Sequence, residues 1–251
     1  MIIYFTGTGN GEYIAKEIAK GTDDYAVNMI DLMDHGKTEI AIKDGENFGF
    51  VYPTYWYGLP TVVEDFLTKT AFVLEGDHHY TYFVGHYGNV YGCIFMVAQK
   101  AFHLKGIDFD AYYGILTVGN WGPYYELKNP DYIKKALASE RGGIDEATVC
   151  ICEKYKNDPF ADQYNTRAYV YARNHYQEIS DTRLFRLDAD KCIGCGMCEQ
   201  GCPVHAIEMQ DGKPVWVKPN CTVCLSCLSH CPAEAIDYEE GFLVHGRHVH
   251  P

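Results

Sequence analysis

The chain opens with a short, continuous apolar run at residues 1–5, rich in β-branched and aromatic side chains. Six small or polar residues follow this run, and Ile14, Ala15 and Ile18 then recur at helical spacing. A buried strand, a glycine-rich loop and an amphipathic helix are the opening of a βαβ unit. The pattern therefore predicts a parallel strand that leads directly into a helix.

Further apolar runs predict four more strands, at residues 25–29, 48–53, 80–85 and 113–118. Helical periodicity lies between them, at residues 61–68 and 91–102. Strands that alternate with helices are typical of a parallel sheet covered on both faces. We therefore expect an α/β fold.

Two helical patterns follow the predicted sheet. Apolar residues recur with a 3.6-residue period over residues 131–156, although Gly142 and Gly143 interrupt the pattern. Each glycine costs about 1 kcal/mol in a helix interior. After a break at residues 157–159, the tyrosine-rich stretch 162–179 predicts a helix that links two domains.

The composition changes after residue 190, where a short unit occurs twice with an offset of 29 residues. Each copy has the spacing C-x2-C-x2-C-x3-C-P. The first copy contains Cys192, Cys195, Cys198 and Cys202, and the second contains Cys221, Cys224, Cys227 and Cys231. We expect the two copies to pack about a pseudo-twofold axis.

These cysteines are eight of the 11 in the chain. A secreted disulfide scaffold would be short, and zinc sites usually use two separated cysteine pairs. The spacing is that of bacterial ferredoxins with two 4Fe–4S clusters, and residues 183–240 resemble that family.

The ferredoxin resemblance implies that the fourth cysteine of each run ligates the cluster of the other run. One cluster would then be held by Cys192, Cys195, Cys198 and Cys231, and the other by Cys221, Cys224, Cys227 and Cys202. Four residues are expected to shield the clusters from water: Ile193, Ile207, Val223 and Ile236. The remaining cysteines are expected to be buried core thiols: Cys93, Cys150 and Cys152.

The loop after the first strand has the sequence TGTGNG and consists of Thr6, Gly7, Thr8, Gly9, Asn10 and Gly11. A triphosphate loop would require a lysine that is absent here. A dinucleotide loop has the spacing G-x-G-x-x-G, which this loop lacks, although Asp31 lies 20 residues beyond Gly11. Hydroxyl groups and free N–H groups at a helix N-terminus favour a phosphate monoester, whereas a tight turn without a ligand remains an alternative.

The loop resembles the flavodoxin pattern T/S-x-T-G-x-T/S, in which Gly11 replaces the last hydroxyl residue. This resemblance implies a doubly wound sheet of five parallel strands in the order 2-1-3-4-5, with FMN at the carboxyl ends of the strands. Two loops would hold the flavin ring. The first contains Pro53, Thr54, Tyr55, Trp56, Tyr57 and Gly58, and the second contains His86, Tyr87, Gly88, Asn89, Tyr91 and Gly92.

Two further expectations concern the surroundings of the flavin ring. Gly58 would permit a close or flipping peptide near the flavin N5. A third loop, residues 120–125, would border the site and includes Trp121 and Tyr124.

Charge and hydropathy limit the class of partner. With 21 basic and 34 acidic residues, the net charge of −13 argues against binding to nucleic acid or anionic membranes. No apolar stretch approaches 18 residues, and the first residues lack the features of a signal peptide, so we expect a cytoplasmic location. The sequence HGRHVH at residues 245–250 is expected to be a solvated end, with metal binding as the alternative.

Over residues 1–240 the chain resembles the flavodoxin–ferredoxin fusion proteins of anaerobic bacteria and archaea. The resemblance implies one FMN, two 4Fe–4S clusters, an FMN-binding domain at residues 1–160, a linking helix at 161–182, a small α+β ferredoxin domain at 183–240 and a tail at 241–251. Two functions remain open. One is electron transfer between a redox partner, the clusters and FMN, and the other is FMN-dependent reduction of a small organic substrate. An acidic electron carrier would dock on a basic patch of its partner.

Overall fold

A computed structural model describes residues 1–161, 165–239 and 241–251. The strands are β1 (Ile2–Tyr4), β2 (Ala26–Asn28), β3 (Glu39–Ile42), β4 (Asn47–Pro53), β5 (Ala71–Leu74), β6 (Tyr80–Tyr87), β7 (Ala111–Leu116), β8 (Phe185–Leu187), β9 (Ile207–Gln210), β10 (Lys213–Trp216) and β11 (Ile236–Tyr238). The helices are α1 (Asn10–Gly21), α2 (Met29–Asp34), α3 (Thr61–Lys69), α4 (Ile94–His103), α5 (Pro130–Cys152), α6 (Thr166–Ile179), α7 (Met197–Gln200) and α8 (Ser226–Ser229).

Five parallel strands form the main sheet in the spatial order β2-β1-β4-β6-β7. Numbered along the chain by themselves, these strands have the order 2-1-3-4-5, which confirms the predicted fold. Alternate residues of one strand enter two different hydrophobic clusters. Ile2 and Tyr4 pack on the side of α1 and α5, whereas Ile3 and Phe5 pack on the side of α3 and α4. Both faces of the sheet are therefore covered.

The sequence analysis missed a second, two-stranded parallel sheet and the short helix α2. Strands β3 and β5 pair with each other, and Ile40 lies opposite Phe72. Each strand has only four residues and alternates between more and less buried positions. Their apolar runs are at most four residues long and only half-buried, and this short, exposed pattern does not distinguish a strand from a loop.

Helix α5 continues through Gly142 and Gly143 but ends at Cys152, four residues before the predicted end. A Cβ atom on Gly143 would lie 3.4 Å from the side chain of Ile115, an ordinary van der Waals contact, so the packing of the helix on β7 does not depend on this glycine. The next helix, α6, begins at Thr166. The first predicted residues of that helix, 162–164, lie outside the described residues.

The cysteine-rich region folds as two small antiparallel sheets, β8–β11 and β9–β10, with two one-turn helices. The repeat of 29 residues extends to the backbone, since α7 and α8 are related by that offset. Gly194 and Gly196 have φ angles of 68° and 76°, and the equivalent Val223 and Leu225 have φ angles of 48° and 60°.

Helix α6 joins the two regions through buried contacts. The Tyr176 hydroxyl donates to the carbonyl oxygen of Thr222 at 2.8 Å and accepts from the backbone N–H of Thr61 at 3.3 Å. The Arg173 guanidinium binds both carboxylate oxygens of Glu64, at 2.8 and 2.9 Å. These contacts fix α6 between the main sheet and the cysteine-rich region.

The expectation of a solvated C-terminal end is wrong. The side chains of His248 and His250 are buried, and the ring of His250 stacks on Tyr13 with 4.1 Å between the ring centroids. The three aromatic rings of Trp121, Tyr238 and Phe242 pack together just before this segment. Apolar and aromatic partners therefore order a segment that looks polar in sequence.

Among the described residues, no helix is both long and apolar enough to cross a membrane.

Candidate functional site

A cavity of about 520 Å³ opens at the carboxyl ends of β1, β4, β6 and β7, where the order of the main sheet reverses. Most of the predicted flavin-site residues line it: Thr6, Gly7, Thr8, Asn10, Pro53, Thr54, Tyr55, Trp56, Tyr57, His86, Tyr87, Gly88, Asn89 and Trp121. The topology thus brings together residues that lie far apart in sequence.

Two glycines of the TGTGNG loop face away from this cavity. Gly9 adopts a left-handed φ of 98°, and a Cβ on it would lie 2.8 Å from the Cβ of His250. A Cβ on Gly11 would lie 2.2 Å from the carbonyl oxygen of Phe5. Gly9 therefore permits the turn into α1, and Gly11 permits α1 to approach β1 closely.

Gly58, predicted as a flavin-site residue, lies beside the cavity and not in its lining. Gly58 closes a tight turn by exchanging backbone hydrogen bonds with Tyr55, at 2.9 and 3.0 Å, and it does not line the cavity. The residues between them, Trp56 and Tyr57, adopt left-handed φ angles of 43° and 69°. Two bulky residues in this conformation are unusual, and such strain clusters at functional sites.

Tyr91 and Gly92 also lie outside the lining of the cavity. The ring of Tyr91 packs against Tyr87 and Phe160 instead, with centroids 5.6 and 5.1 Å apart. A Cβ on Gly92 would lie 2.5 Å from the Cα of Tyr57. Gly92 therefore allows this loop to approach the turn of residues 55–58 closely.

One end of the cavity is polar and lies at the N-terminus of α1. The side-chain amide of Asn10 donates to the carbonyl oxygen of Val118 at 2.8 Å, and the backbone N–H of Gly9 donates to the Thr6 hydroxyl at 2.9 Å. Within the described part of the chain, Asn10 Oδ1 and His86 Nε2 are buried without a hydrogen-bond partner. Burial, with a smaller contribution from His250, lowers the pKa of His86 to about 3.

The other end of the cavity is aromatic. Trp56 stacks on Tyr176 with ring centroids 5.2 Å apart and an interplanar angle of 5°. It also meets Trp121 edge-to-face at 4.6 Å. A cavity with one polar end at a helix N-terminus and one aromatic end suits a ligand that has a phosphate and a planar ring.

The eight cysteines form two groups that each draw on both runs. Cys192, Cys195, Cys198 and Cys231 surround one small pocket. Cys202 interacts electrostatically with the second group, formed by Cys221, Cys224 and Cys227. The fold therefore brings the fourth cysteine of each run to the other run.

Burial governs the chemistry of the second cysteine group. It raises the pKa of Cys221 to about 11 and raises the pKa values of Cys224 and Cys227 well above the ordinary thiol value. Buried thiols at such spacing become thiolates only when a bound metal supplies compensating positive charge. A set of four soft thiolate ligands is the donor set of a 4Fe–4S cluster.

Backbone N–H groups point at several of these sulfur atoms. Ala206 donates to Cys202 Sγ at 3.2 Å, and Ala235 donates to Cys231 Sγ at 3.3 Å. These two bonds are related by the 29-residue repeat. Hydrogen bonds to cluster sulfur atoms tune reduction potentials, so the donor set and its surroundings both fit iron–sulfur clusters.

Comparison with known proteins agrees with this geometry. Residues 1–88 match the family model described as a flavodoxin domain, and residues 184–232 match the one described as a 4Fe-4S dicluster domain. The chain is a fusion of these two domains. A flavodoxin domain implies FMN, and a dicluster domain implies two 4Fe–4S clusters.

Individual relatives resemble either half of the fusion protein. Ferredoxin-2 of Desulfomicrobium norvegicum is 59% identical over 29 residues, which are 12% of this chain and 49% of the ferredoxin. The chain thus matches about half the length of that relative. The Trp repressor binding protein of Bacillus subtilis is 16% identical, and the match covers 63% of this chain and 99% of that one, with a TM-score of 0.35. The two-electron reduced flavodoxin of Megasphaera elsdenii is 17% identical over 56% of this chain and 99% of its own, with a TM-score of 0.32.

Flavodoxin and dicluster ferredoxin domains are both redox domains. FMN exchanges one or two electrons when bound, whereas each cluster carries one. In the flavin cavity, residues at the polar end would hold the phosphate of FMN. Residues at the aromatic end would pack against its ring.

The four residues expected to shield the clusters differ in exposure. Ile207, Val223 and Ile236 are buried, whereas Ile193 lines the pocket of Cys192, Cys195, Cys198 and Cys231 from the solvent side, with its side chain 69% exposed. Cys195 is also exposed, so the group formed by Cys192, Cys195, Cys198 and Cys231 lies near the surface. We call this group the distal cluster site.

The other group adjoins the flavin cavity and consists of Cys202, Cys221, Cys224 and Cys227. We call it the proximal cluster site. Val223 lines that cavity, and the Asn120 side-chain amide donates to the carbonyl oxygen of Cys224 at 3.5 Å. A Cβ on Gly7 would lie only 2.7 Å from the same carbonyl oxygen. Glycine at this position therefore allows the two domains to approach.

Sequence reasoning missed one wall of the cavity. Helix α6, predicted only as a link, contributes Ala168, Tyr171, Ala172 and His175. Their spacing places them on one helix face, with two small residues that permit close approach. In the sequence, this spacing was the one signal that could have identified α6 as a wall of the cavity. The third predicted loop contributes Asn120, Tyr124 and Tyr125 to the lining. Further lining residues are Val90, Thr117, Val118, Gly119 and Val223.

The three other cysteines do not all behave as predicted. Cys93 is buried, Cys150 is partly buried and Cys152 is exposed on the last turn of α5. Cys152 lies on the outer side of that helix, so the expectation of a buried core thiol is wrong for it.

Proposed function

We propose that the fusion protein is a cytoplasmic electron-transfer protein in which electrons pass between a redox partner, the distal cluster, the proximal cluster and FMN. The observation that carries this proposal is the order of the three sites. Cys195 is exposed at the distal cluster site, whereas Val223 of the proximal cluster site lines the flavin cavity.

The proposed ligands are Cys192, Cys195, Cys198 and Cys231 for the distal cluster, and Cys202, Cys221, Cys224 and Cys227 for the proximal cluster. Because both clusters and FMN belong to one chain, each transfer is intramolecular and occurs at high effective concentration. The surface around Ile193 and Met197, which are 69% and 45% exposed, supports an entry point for electrons over the distal cluster.

A basic c-type cytochrome tests the proposed route, because it accepts single electrons and is too large to enter the cavity. The fusion protein is reconstituted with iron, sulfide and FMN without oxygen, reduced, and mixed with the cytochrome. We expect Cys195→Ala to slow FMN oxidation at least about tenfold, because the electron loses its exit through the distal cluster. The control Cys152→Ala removes an exposed cysteine that belongs to neither cluster site and leaves the rate unchanged.

Benzoquinone, a small uncharged oxidant, provides the second control, since it can reach FMN through the cavity. Its rate with FMN should be the same in both variants. Iron content establishes that Cys195→Ala has lost one cluster. If such a protein still passes electrons from FMN to the cytochrome at the unaltered rate, the proposed route is wrong.

The residues at the open end of the cavity favour a second function, which is the reduction of a small organic substrate by FMN. Tyr124 and Tyr171 line the cavity yet are 72% and 77% exposed. Together with His175 they provide aromatic and polar contacts for a small molecule beside the flavin. Saturable oxidation of reduced FMN by a small compound, lost in Tyr171→Ala, would favour this function.

A further inference from the structure

The last six residues of the chain, 246–251, cross from the dicluster domain to the flavodoxin domain, and we call them the C-terminal strap. At one end, the Arg247 guanidinium donates to the carbonyl oxygen of Cys231 and forms an ion pair with Glu234 at 3.2 Å. At the other end, the backbone N–H of His250 donates to the carbonyl oxygen of Thr8 at 2.8 Å. The strap thus touches both a proposed cluster ligand and the TGTGNG loop.

The side chain of His250 is buried against the outside of that loop. Its Nε2 lies 2.9 Å from Glu140 Oε2, and the exposed fractions of the two side chains are 5% and 1%. The other carboxylate oxygen of Glu140 accepts from the Thr117 hydroxyl at 2.7 Å. Thr117 lines the flavin cavity, so a buried carboxylate lies directly behind the cavity wall.

A buried carboxylate requires a partner, because removing one member of a buried ion pair leaves an uncompensated charge. Within residues 1–161, 165–239 and 241–251, His250 is the only basic side chain within ion-pair distance of Glu140. Without His250, Glu140 would present an unbalanced negative charge close to the polar end of the cavity. A dianionic ligand bound there would be repelled.

Two further groups indicate that a polar ligand belongs at this end. Asn10 Oδ1 and His86 Nε2 have no hydrogen-bond partner among the described residues, and both side chains line the cavity. Asn10 is 6% exposed and His86 is 5% exposed. Buried polar atoms of this kind are normally satisfied. A hydroxyl group of the bound ligand would donate to Asn10 Oδ1, and its phosphate would accept from a His86 Nε2 that carries the proton of the neutral ring.

We propose that the C-terminal strap is part of the phosphate site for FMN, with His250 as a positioning residue. Its backbone holds Thr8 from the outside, and its Cβ fills the space beside Gly9. Its imidazole pairs with Glu140 and thereby removes the repulsion that the phosphate dianion would meet. The inference rests on the proposed FMN site and adds a segment that lies more than 200 residues from the loop it supports.

The test compares FMN with riboflavin, which has the same ring but no phosphate, by quenching of flavin fluorescence in the full chain with its clusters. We expect His250→Ala to weaken FMN binding by about tenfold or more, and riboflavin binding by less than about twofold. Val244→Ala is the matched control, since it alters an exposed side chain just before the strap, and both affinities should remain unchanged.

The double variant Glu140→Gln/His250→Ala separates charge from packing. It removes the buried carboxylate together with its partner, so FMN affinity should recover to within about threefold of that of Glu140→Gln alone. Iron content and circular dichroism identify variants that have not folded, and His250→Gln, which keeps a hydrogen-bond donor without a charge, replaces His250→Ala in that case.

Equal weakening of FMN and riboflavin, or no recovery in the double variant, would overturn the inference and leave a purely structural strap. These outcomes differ from failure of the proposed function, in which the unaltered chain would bind neither flavin.

Discussion

At the scale of single residues, His86 shows how burial controls a side chain that would otherwise gain its charge just below neutral pH. Its pKa falls from 6.5 to about 3, mainly because burial disfavours the imidazolium, and His250 adds to the effect. The pKa of His248 is lowered to about 4 for the same main reason. Both rings are therefore neutral in the folded protein at pH 7.

The lowered pKa of His86 predicts how the stability of the folded protein depends on pH. Between pH 6.5 and 3 the unfolded chain binds a proton at His86 that the folded chain does not, so stability decreases as the pH falls through this range. From pH 6.5 to 5 the loss due to His86 is about 2 kcal/mol. Urea unfolding without added FMN should show that His86→Asn loses less stability over this range than the unaltered chain. Parallel losses in the two proteins would contradict this assignment.

At the scale of elements, the two copies of the cysteine-rich unit keep one backbone with different side chains. The first copy uses Gly194 and Gly196 at left-handed positions, whereas the second uses Val223 and Leu225. The second copy faces the flavodoxin domain, and its two apolar side chains are 3% and 1% exposed. A left-handed conformation costs a side chain about 1–3 kcal/mol, and burial in the domain contact offsets this cost.

In the proposed ligand sets, the fourth cysteine of each copy ligates the cluster of the other copy. This exchange predicts the iron content of cysteine variants. If Cys202 ligates the proximal cluster, Cys202→Ser and Cys224→Ser damage the same site, and the double variant should keep about four iron atoms. By contrast, Cys202→Ser combined with Cys195→Ser damages both sites and should leave almost none. Iron analysis after reconstitution without oxygen distinguishes the two pairs. Four iron atoms in the second pair would show that each run holds its own cluster.

At the scale of the whole molecule, the net charge of −13 governs encounters with other proteins. The FMN phosphate would make the protein more acidic still. Such a surface attracts a basic partner over long distances, and salt weakens this attraction.

The rate of electron transfer to the basic c-type cytochrome should therefore decrease at least about tenfold between about 10 mM and 500 mM ionic strength. Stopped-flow absorbance of the cytochrome measures this rate. The rate with uncharged benzoquinone should change little, because steering requires charge on both partners. A cytochrome rate independent of salt would exclude docking through the acidic surface.

The sequence by itself determined the elements whose signals are local. Continuous apolar runs identified all five strands of the main sheet within a few residues, because both faces of that sheet are buried. The cysteine spacing indicated the iron–sulfur domain for a similar reason, since three of the four ligands of each cluster follow one another along the chain. The TGTGNG loop indicated a phosphate site because strand, turn and helix N-terminus are contiguous.

Only the tertiary structure decided which distant segments complete these sites. Helix α6 forms a wall of the flavin cavity, the proximal cluster site adjoins that cavity through Val223, and the C-terminal strap reaches Thr8. The strap looked like a solvated end because its histidines are polar and have no periodic apolar neighbours in sequence. Their burial depends on Tyr13 and Glu140, which lie on two helices far away in the chain. Contacts of this kind arise from the packing of whole elements, and no local pattern of residues encodes them.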